Sequence, residues 1–367
     1  MTVASQTENN LFVQEVPAGQ PLVVVVIVNY RSSQLTIECL KSLENERQSV
    51  ANLLVIVVDN HSEDGSVEHL QKTILEQDWQ SWITVIASDH NGGYAYGNNL
   101  AIQAAKYLKA PPAYFWLLNP DTRVYPGATP ALIDFMETHP EVGICGSSLE
   151  EADGSLFAKA FRFPNILSEL DSGLRLGIVS KLLARWTLTQ AMTDAAVKVD
   201  WLPGASMMIR RQVFEDVGLM DEGYFLYFEE TDFCLQAQRA NWSCWYVPTS
   251  KVMHIAGQST GVTVRNGPPK RLPDYWFESR RRYFLKNHGL FYTALADACW
   301  AVGYILWRLR CLVQRKSDPA FDPPHLLADF IRHSVFCKGP RIPAQTLPVR
   351  PASSMESCPS FPKGNCP

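Results

Sequence analysis

Three acidic residues, Glu229, Glu230 and Asp232, lie within four positions of one another and directly follow an aromatic run at 224–228. Apolar surroundings disfavour an ionised carboxylate and raise its pKa, which suits a group that must accept a proton near neutral pH. This pattern indicates a general base. The alternative is an ordinary surface helix, because acidic residues stabilise the first turn through the helix dipole.

Two more acidic residues end apolar runs, and a histidine follows later in the chain. Asp59 could accept a hydrogen bond from the ring N–H of a pyrimidine, or it could cap the turn that follows it. Asp121 could bind Mg²⁺ or Mn²⁺, or it could form an Asx-turn after Pro120. His254 could be a metal ligand or an ordinary loop residue.

The segment 91–99, NGGYAYGNN, contains three glycines in a short span. Glycines let a backbone approach a ligand closely and expose N–H groups at the start of a helix. The segment has neither GxGxxG nor GK[ST], so it is not a known dinucleotide or P-loop motif, and a plain turn remains possible. The sequence also has no GxSxG, so a hydrolase triad has no support.

Alternating strands and helices must position these residues. Strands are predicted at 21–28, 53–58, 83–87 and 114–118, and helices at 35–43, 63–71, 100–108 and 129–138. Four such repeats indicate right-handed βαβ units and a parallel, doubly wound α/β sheet. Ligands of such sheets bind beyond the carboxyl ends of the strands, where the polar clusters lie.

The pattern changes after Glu141. Further strands are predicted at 142–147, 199–202, 205–209 and 245–247, and a helix at 228–240, whereas 161–198 is irregular with weak helical signals. The predicted organisation is a polar tail at 1–20, a catalytic domain at 21–262, a helical extension at 263–339 and a proline-rich, disordered tail at 340–367.

The composition excludes several classes of protein. With 367 residues and 46% hydrophobic residues, the chain can bury a large core and is not disordered as a whole. A net charge of −4 argues against nucleic acid as a partner. Nine scattered cysteines without a CxxC pattern, and an N-terminus without a secretory signal, favour a reducing cytoplasm.

Positive charge is concentrated near the C-terminus. Residues 280–316 hold eight lysines or arginines and one acid, Asp297, around the apolar stretch Leu290–Val313. The pattern predicts a helix lying in a membrane interface, with its cationic ends on anionic lipid. An ordinary helix that packs on the catalytic domain is the alternative.

Taken together, six segments resemble glycosyltransferase family 2, in particular its bacterial rhamnosyltransferase-like members. They are VVIVNYRSS, VVDNHSEDGS, NGGYAYGNN, LLNPDT, WLPGASMMIRR and GYFLYFEETDFCLQAQRANW, followed by His254. The resemblance covers about residues 21–290. It implies a GT-A fold with a C-terminal helical extension, a nucleotide-diphospho-sugar donor, Mg²⁺ or Mn²⁺, and inversion at the sugar carbon.

The resemblance also implies roles for individual residues. The donor would lie against Asn29, Tyr30, Asp59, Asn91, Gly93, Asn98, Asn119 and Asp121. Asp121 and His254 would hold the metal. The acceptor, a glycan or lipid-linked hydroxyl, would lie against Trp201, Gly204 and Glu229. Glu230 would be the base, with Asp232 as a second candidate. The enzyme would act at the inner face of the cytoplasmic membrane.

Two positions depart from the family pattern. Asn119 replaces the first acid of the DxD motif, and Glu230 stands where the family usually has aspartate. These departures leave open a catalytically degenerate sugar-nucleotide-binding or scaffold protein. A nucleotidyltransferase is disfavoured, because Asn29-Tyr30-Arg31 occupies the place of the basic, glycine-rich loop that such an enzyme normally shows after its first strand.

Overall fold

The computed structural model describes residues 20–151, 154–155, 160–190, 192–255, 269–315 and 322–345. All structural statements below refer to these residues. The predicted polar tail apart from Gln20, the proposed domain boundary at 262/263, Lys316 and the tail beyond Gln345 lie outside them.

The first half of the chain alternates strand and helix as predicted. Its elements are β1 (Val23–Asn29), α1 (Ser33–Arg47), β2 (Leu53–Asp59), α2 (Ser66–Glu76), β3 (Ile83–Ala87), α3 (Gly93–Ala104) with a 3₁₀ turn (Ala105–Tyr107), β4 (Tyr114–Leu118), β5 (Thr122–Val124), α4 (Ala128–Thr138) and β6 (Val142–Glu150). Every residue of β1, β2 and β4 is buried, as expected of apolar strands covered on both faces.

The second half adds short strands and then helices. Its elements are β7 (Ala160–Phe161), α5 (Ile166–Leu174), α6 (Gly177–Leu182), β8 (Thr189–Gln190), β9 (Val197–Val199), β10 (Ser206–Arg210), α7 (Arg211–Val217), α8 (Glu229–Arg239), β11 (Ser243–His254), α9 (Asp274–Val313), α10 (Leu326–His333) and α11 (Val335–Lys338).

One nine-stranded sheet organises the molecule. Its strand order is β3-β2-β1-β4-β10-β6-β11-β5, with β9 also paired to β11, while β7 and β8 form a separate hairpin. The pairs among β1 to β4 and the pair β6–β11 are parallel, whereas β10, β5 and β9 run antiparallel to their neighbours. The predicted α/β class with a mostly parallel sheet and a C-terminal helical extension is confirmed.

Several predicted elements differ from the observed ones. The helix predicted from Glu63 begins at Ser66, because Ser62 hydrogen-bonds Asp59 instead of capping it. The glycine-rich segment is itself the start of α3 and not a turn before it. The irregular stretch contains α5, which Asn165 begins through a reciprocal capping box with Ser168.

The long helix α9 packs on the body of the protein along one side. It is interrupted at Gly289, whose φ of 78° breaks the helical geometry. Beyond this kink, Trp300, Tyr304 and Trp307 are buried in a cluster with α10, and the ring centroids of Trp300 and Phe330 lie 3.9 Å apart. The inward face of the helix beyond the kink is therefore an integral part of the fold.

A buried ion triad joins α9 to α5. Arg280 contacts Glu169 and Asp297, with a nitrogen–oxygen distance of 2.6 Å to each, and all three residues are buried. The second oxygen of Asp297 accepts the Val335 backbone N–H at 2.9 Å. Burial alone would lower the pKa of Arg280, but the two carboxylates raise it, so the guanidinium stays charged.

The other cations on the first half of α9 are also engaged. Arg282 contacts Asp221 at 2.8 Å, and Lys286 contacts Asp221 at 2.7 Å and Asp232 at 2.6 Å. The expectation that residues 280–286 lie on anionic lipid is therefore wrong. These cations contact acids of the α8 helix and of the loop before it, as the packed-helix alternative required.

Replacing Arg280 tests the triad. Arg280→Met leaves Glu169 and Asp297 buried without their cation, so we expect the free energy of unfolding to fall by about 3–5 kcal/mol in denaturant titrations. The matched control is Lys72→Met, which removes an exposed pair with Glu76 and should cost at most about 1 kcal/mol. Equal stability of the two variants would contradict a structural role for the triad.

Candidate active site

Asn29 and Asp59 end the neighbouring parallel strands β1 and β2 and lie opposite each other in register. Asn29 Nδ2 donates to Asp59 Oδ2 at 2.7 Å, and Asp59 also accepts the backbone N–H of Ser62 at 2.9 Å and its hydroxyl at 2.6 Å. Asn29 Oδ1 accepts the hydroxyl of Thr36 at 2.8 Å. Asp59 thus stabilises the turn after β2, and the pair fixes both loops at this edge of the sheet.

A cleft of about 380 Å³ lies beside Asp59. Its lining residues are Asp59, His61, Ser62, Glu63, Gly65, Ser66, Val67, Glu68, Ala87 and Ser88. Tyr30 lies close to the same loop, since Arg31 stacks on its ring at 5.2 Å and donates from Nε to the Ser62 carbonyl at 3.1 Å. The carboxyl edge of β1, β2 and β3 therefore holds an open, polar cleft.

The start of α3 is pressed against the loop that precedes α8. Gly93 has a φ of +83°, and a Cβ built on it would lie 2.0 Å from the Phe225 carbonyl oxygen. The next residue, Tyr94, donates its backbone N–H to the same oxygen at 2.9 Å. Only glycine can occupy position 93, and Asn91 secures it by accepting its N–H at 3.0 Å.

Asn98 is fully buried one turn further along α3. Its Nδ2 donates to the Tyr94 carbonyl at 2.9 Å, whereas its Oδ1 has no hydrogen-bond partner among the described residues. The same is true of Asn60 Oδ1, next to Asn91. Buried acceptors without partners are costly, so these two amides are places where a bound ligand could donate a hydrogen bond.

Asp121 and His254 come together through strand pairing. Strand β11 runs antiparallel to β5, with His254 opposite Thr122. This register brings His254 Nε2 to 3.3 Å from Asp121 Oδ1 and 3.4 Å from Asn119 Nδ2. The structure thus joins three of the predicted residues, and His254 lies on a strand and not in the predicted loop.

The pair has donor atoms that suit a divalent cation. A buried carboxylate oxygen and an imidazole nitrogen are acceptable ligands for Mg²⁺ or Mn²⁺, and histidine favours Mn²⁺. Within the described residues, no cluster of three His, Cys, Asp or Glu side chains could hold a metal. Asp121 and His254 would therefore need ligand oxygens or waters to complete the coordination.

Glu230 is held at the first turn of α8 by a backbone hydrogen bond. The N–H of Gly204 donates to Glu230 Oε1 at 3.1 Å, and the carbonyl of the same glycine accepts the Tyr94 hydroxyl at 2.8 Å. Burial raises the pKa of Glu230. The carboxylate is thus both positioned and made more basic.

The neighbouring Glu229 is more deeply buried. Its Oε2 has no hydrogen-bond partner in the described part of the chain, and burial, together with the charge of Glu230, raises its pKa well above the usual range. The two residues before it, Tyr227 and Phe228, both have positive φ values, 70° and 67°. Left-handed backbone at two successive bulky residues is strained, and such strain concentrates at functional sites.

Tyr94 links the two halves of the site. Burial raises its pKa first, and the charges of Glu230, Glu229 and Asp121 raise it further. The charges of the candidate base and of the candidate metal ligand therefore both raise the pKa of this phenol. The sequence analysis missed this role, because the contacts of Tyr94 with Phe225 and Gly204 join residues more than 100 positions apart.

Asp232 belongs to a different environment. Its Oδ2 accepts from Lys286 at 2.6 Å, and its Oδ1 accepts from Asn287 at 2.6 Å and Gln236 at 3.2 Å. Both oxygens therefore accept hydrogen bonds at the interface between α8 and α9. These bonds disfavour Asp232 as the base and leave Glu230 as the better candidate.

Of the predicted acceptor residues, the structure brings Gly204 and Glu229 to the base. Trp201 is held elsewhere: its ring stacks on Phe161 with centroids 4.5 Å apart, and its Nε1 donates to the Arg162 carbonyl at 3.1 Å. This places Trp201 beside the β7–β8 hairpin, on the chain that leads to Gly204.

Comparisons with known proteins identify the family and the fold of the chain. The family model "Glycosyl transferase family 2" matches residues 24–218, more than half of the chain. An N-acetylglucosaminyl-diphospho-decaprenol L-rhamnosyltransferase of Mycobacterium tuberculosis is 27% identical over 218 residues, which cover 56% of this chain and 68% of that protein.

Two solved structures share the fold. The mannosyltransferase PcManGT from Pyrobaculum calidifontis, in complex with GDP-Man and Mn²⁺, has a TM-score of 0.51 at 15% identity over 92% of this chain and 89% of that one. GalNAc-T7 with UDP, GalNAc and Mn²⁺ has a TM-score of 0.53 at 14% identity; the match covers 86% of this chain but about half, 55%, of that chain.

The family match covers the sheet edge that holds Asn29, Asp59, Gly93, Asp121 and Gly204. The chain belongs to glycosyltransferase family 2 and is similar in sequence to a rhamnosyltransferase.

Proposed function

We propose that the protein transfers a sugar, rhamnose or another hexose, from a nucleotide-diphospho-sugar to a hydroxyl of a glycan or lipid-linked acceptor, with inversion at the sugar carbon. The observation that carries the proposal is the convergence on Tyr94. The Tyr94 hydroxyl donates to Gly204, the residue that holds Glu230, and its pKa is raised by burial and then by the charges of Glu230 and of Asp121, the partner of His254.

The nucleoside would occupy the cleft beside Asp59, with Asn29 and Tyr30 at its border. Gly93 lets the start of α3 pack directly on the Phe225 backbone, and the unpartnered oxygen of Asn98, one turn further along, can accept a hydrogen bond from the sugar or ribose. Asn91 fixes that backbone, and Asn119 lies within reach of His254. These features support the donor assignment.

Asp121 and His254 would hold Mg²⁺ or Mn²⁺ at the diphosphate. When bound, the cation neutralises charge on the leaving nucleoside diphosphate. Asp121 is 4% exposed, so the water around it is limited and its charge acts at full strength on a nearby ligand. Asn119 adds no charge of its own and lies 3.4 Å from His254 through Nδ2, which suits a supporting role beside the pair.

Glu230 would take the proton of the acceptor hydroxyl as that oxygen attacks the sugar carbon. The C–O bond to the acceptor forms while the bond to the diphosphate breaks, and no residue of the enzyme is covalently modified. Glu229 Oε2, which lacks a partner among the described residues, can accept a second hydroxyl of the acceptor. Trp201 offers an aromatic face on the chain that leads to Gly204.

We further propose a cytoplasmic enzyme at the inner face of the cytoplasmic membrane. A lipid-linked acceptor would place it there, and the seven cysteines in the described part of the chain are all free.

The competing proposal is a degenerate sugar-nucleotide-binding or scaffold protein. It predicts donor binding without release of nucleoside diphosphate to water or acceptor.

The metal assignment is tested by Asp121→Ala. We expect loss of most transferase activity and loss of the Mn²⁺ dependence of nucleoside diphosphate binding, measured by calorimetry. His254→Ala should weaken Mn²⁺ binding less, because Asp121 and the diphosphate remain. Asp134→Ala, an exposed aspartate on α4, is the control. If Asp121→Ala binds donor and Mn²⁺ like the parent, the assignment fails.

The base assignment is tested by Glu230→Gln, which keeps the Gly204 hydrogen bond but cannot accept a proton. We expect kcat to fall by about 10²-fold or more while donor affinity changes little. Glu76→Gln, an exposed substitution on α2, should change neither. Asp232→Asn should lower stability through Lys286 yet retain turnover. Loss of turnover in Asp232→Asn alone would move the base to that residue.

The pH dependence follows from burial. A base must be ionised, and burial raises the pKa of Glu230 above its ordinary value of 4.5. Activity should therefore rise with pH through this raised pKa and be lost as the pH falls below it. The measurement is the acid limb of kcat/KM against pH. An acid limb at or below the ordinary glutamate value would contradict the assignment.

A further inference from the structure

The outward face of α9 beyond Gly289 carries a stripe of exposed apolar residues. Positions 291, 295, 302, 306, 309 and 313 are separated by four, seven, four, three and four residues, as on one side of a helix, and Phe291 is 91% and Leu312 is 76% exposed. The members are Phe291, Leu295, Val302, Ile305, Leu306, Leu309, Leu312 and Val313. The stripe lies opposite the buried face that contains Trp300, Tyr304 and Trp307.

We infer that this stripe docks on the surface of an anionic lipid bilayer, with α9 lying in the plane of the membrane. The inference extends the proposed function, because docking on a membrane would bring the site to a lipid-linked acceptor, and in this respect it rests on that function. It replaces the sequence-based expectation of a contact through all of 280–316, because the cations at 280–286 are engaged within the protein.

Charge argues for anionic lipid as the occupant. The end of the stripe is cationic, with Arg308 and Arg315 exposed and Arg310 half-buried. The one acid between Leu290 and Arg315 is Asp297, which is buried in the ion triad. Exposed apolar residues next to cations, on a helix face that carries no exposed acid of its own, match an interface whose outer layer is negative and whose interior is apolar.

A second segment of the same composition meets the end of α9. Arg310 Nη2 donates to the Arg175 carbonyl at 3.2 Å, which joins α9 to the segment that includes α6. This segment exposes Ile178, Leu182 and Trp186 together with basic side chains, and it has no acid between Asp171 and Asp194. Two neighbouring elements thus both expose large apolar side chains next to basic ones.

The same observations disfavour two other occupants. A second copy of the chain paired along the stripe would bring arginines against a face without acids. A membrane-spanning helix is possible by length and composition, since α9 is long and apolar enough. Crossing a bilayer would, however, separate Trp300, Trp307 and the ion-paired Asp297 from their buried partners.

The test uses the full chain and sedimentation with vesicles of phosphatidylcholine, with and without phosphatidylglycerol. We expect binding to the vesicles that contain phosphatidylglycerol, and weaker binding at raised salt. The double variant Leu309→Gln/Leu312→Gln should bind at least about tenfold more weakly, because two exposed apolar side chains no longer enter the lipid. Truncation is avoided, since it would remove Asp297 from the triad.

The matched control is Leu75→Gln, which changes a leucine on α2 that is 64% exposed and should leave binding unchanged. Equal binding of the parent and the double variant, or binding independent of phosphatidylglycerol, would overturn the inference. So would a dimer, seen by light scattering, that the double variant dissociates. Release of nucleoside diphosphate from the donor is measured in parallel. If the parent protein releases none, the proposed function is contradicted but the docking surface is not.

Discussion

The contact between Gly93 and the backbone of Phe225 is the constraint on which the site depends. A Cβ at position 93 would lie 2.0 Å from the Phe225 carbonyl, so the start of α3 and the loop before α8 can meet only through a glycine. The first of these segments borders the proposed donor pocket and the second leads directly into Glu229 and Glu230. Any change that separates them would displace the base relative to the donor.

Burial gives this arrangement its chemistry and also its cost. Two adjacent carboxylates with raised pKa values, and two left-handed residues before them, are unfavourable in a folded chain. The surrounding structure must offset that cost. The carboxylate of Asp232 accepts hydrogen bonds from Lys286 and Asn287 and so holds α8 against α9. Part of the stability of the site therefore comes from the C-terminal extension.

Local patterns predicted the sheet and the strand-end residues, because parallel strands bring their carboxyl ends to one edge. They could not predict partners far apart in the chain. Arg280 and Glu169 are separated by 111 positions, and the pattern around Arg280 indicated lipid where the structure has a buried carboxylate. His254 was assigned to a loop because its strand is set by pairing with β5 and not by local alternation. The start of α5, by contrast, is set locally, by the capping box of Asn165 and Ser168.

The glutamate at 230 shows how a departure from the family pattern is accommodated. Its carboxylate reaches about one C–C bond, ~1.5 Å, further than that of an aspartate would. Here it meets the N–H of Gly204, where a Cβ would lie 2.4 Å from the Tyr94 hydroxyl. The tyrosine therefore requires a glycine at 204, and the backbone at 204 provides the donor that fixes the longer side chain. Glu230 is thus one member of a set of mutually dependent residues with Gly204 and Tyr94.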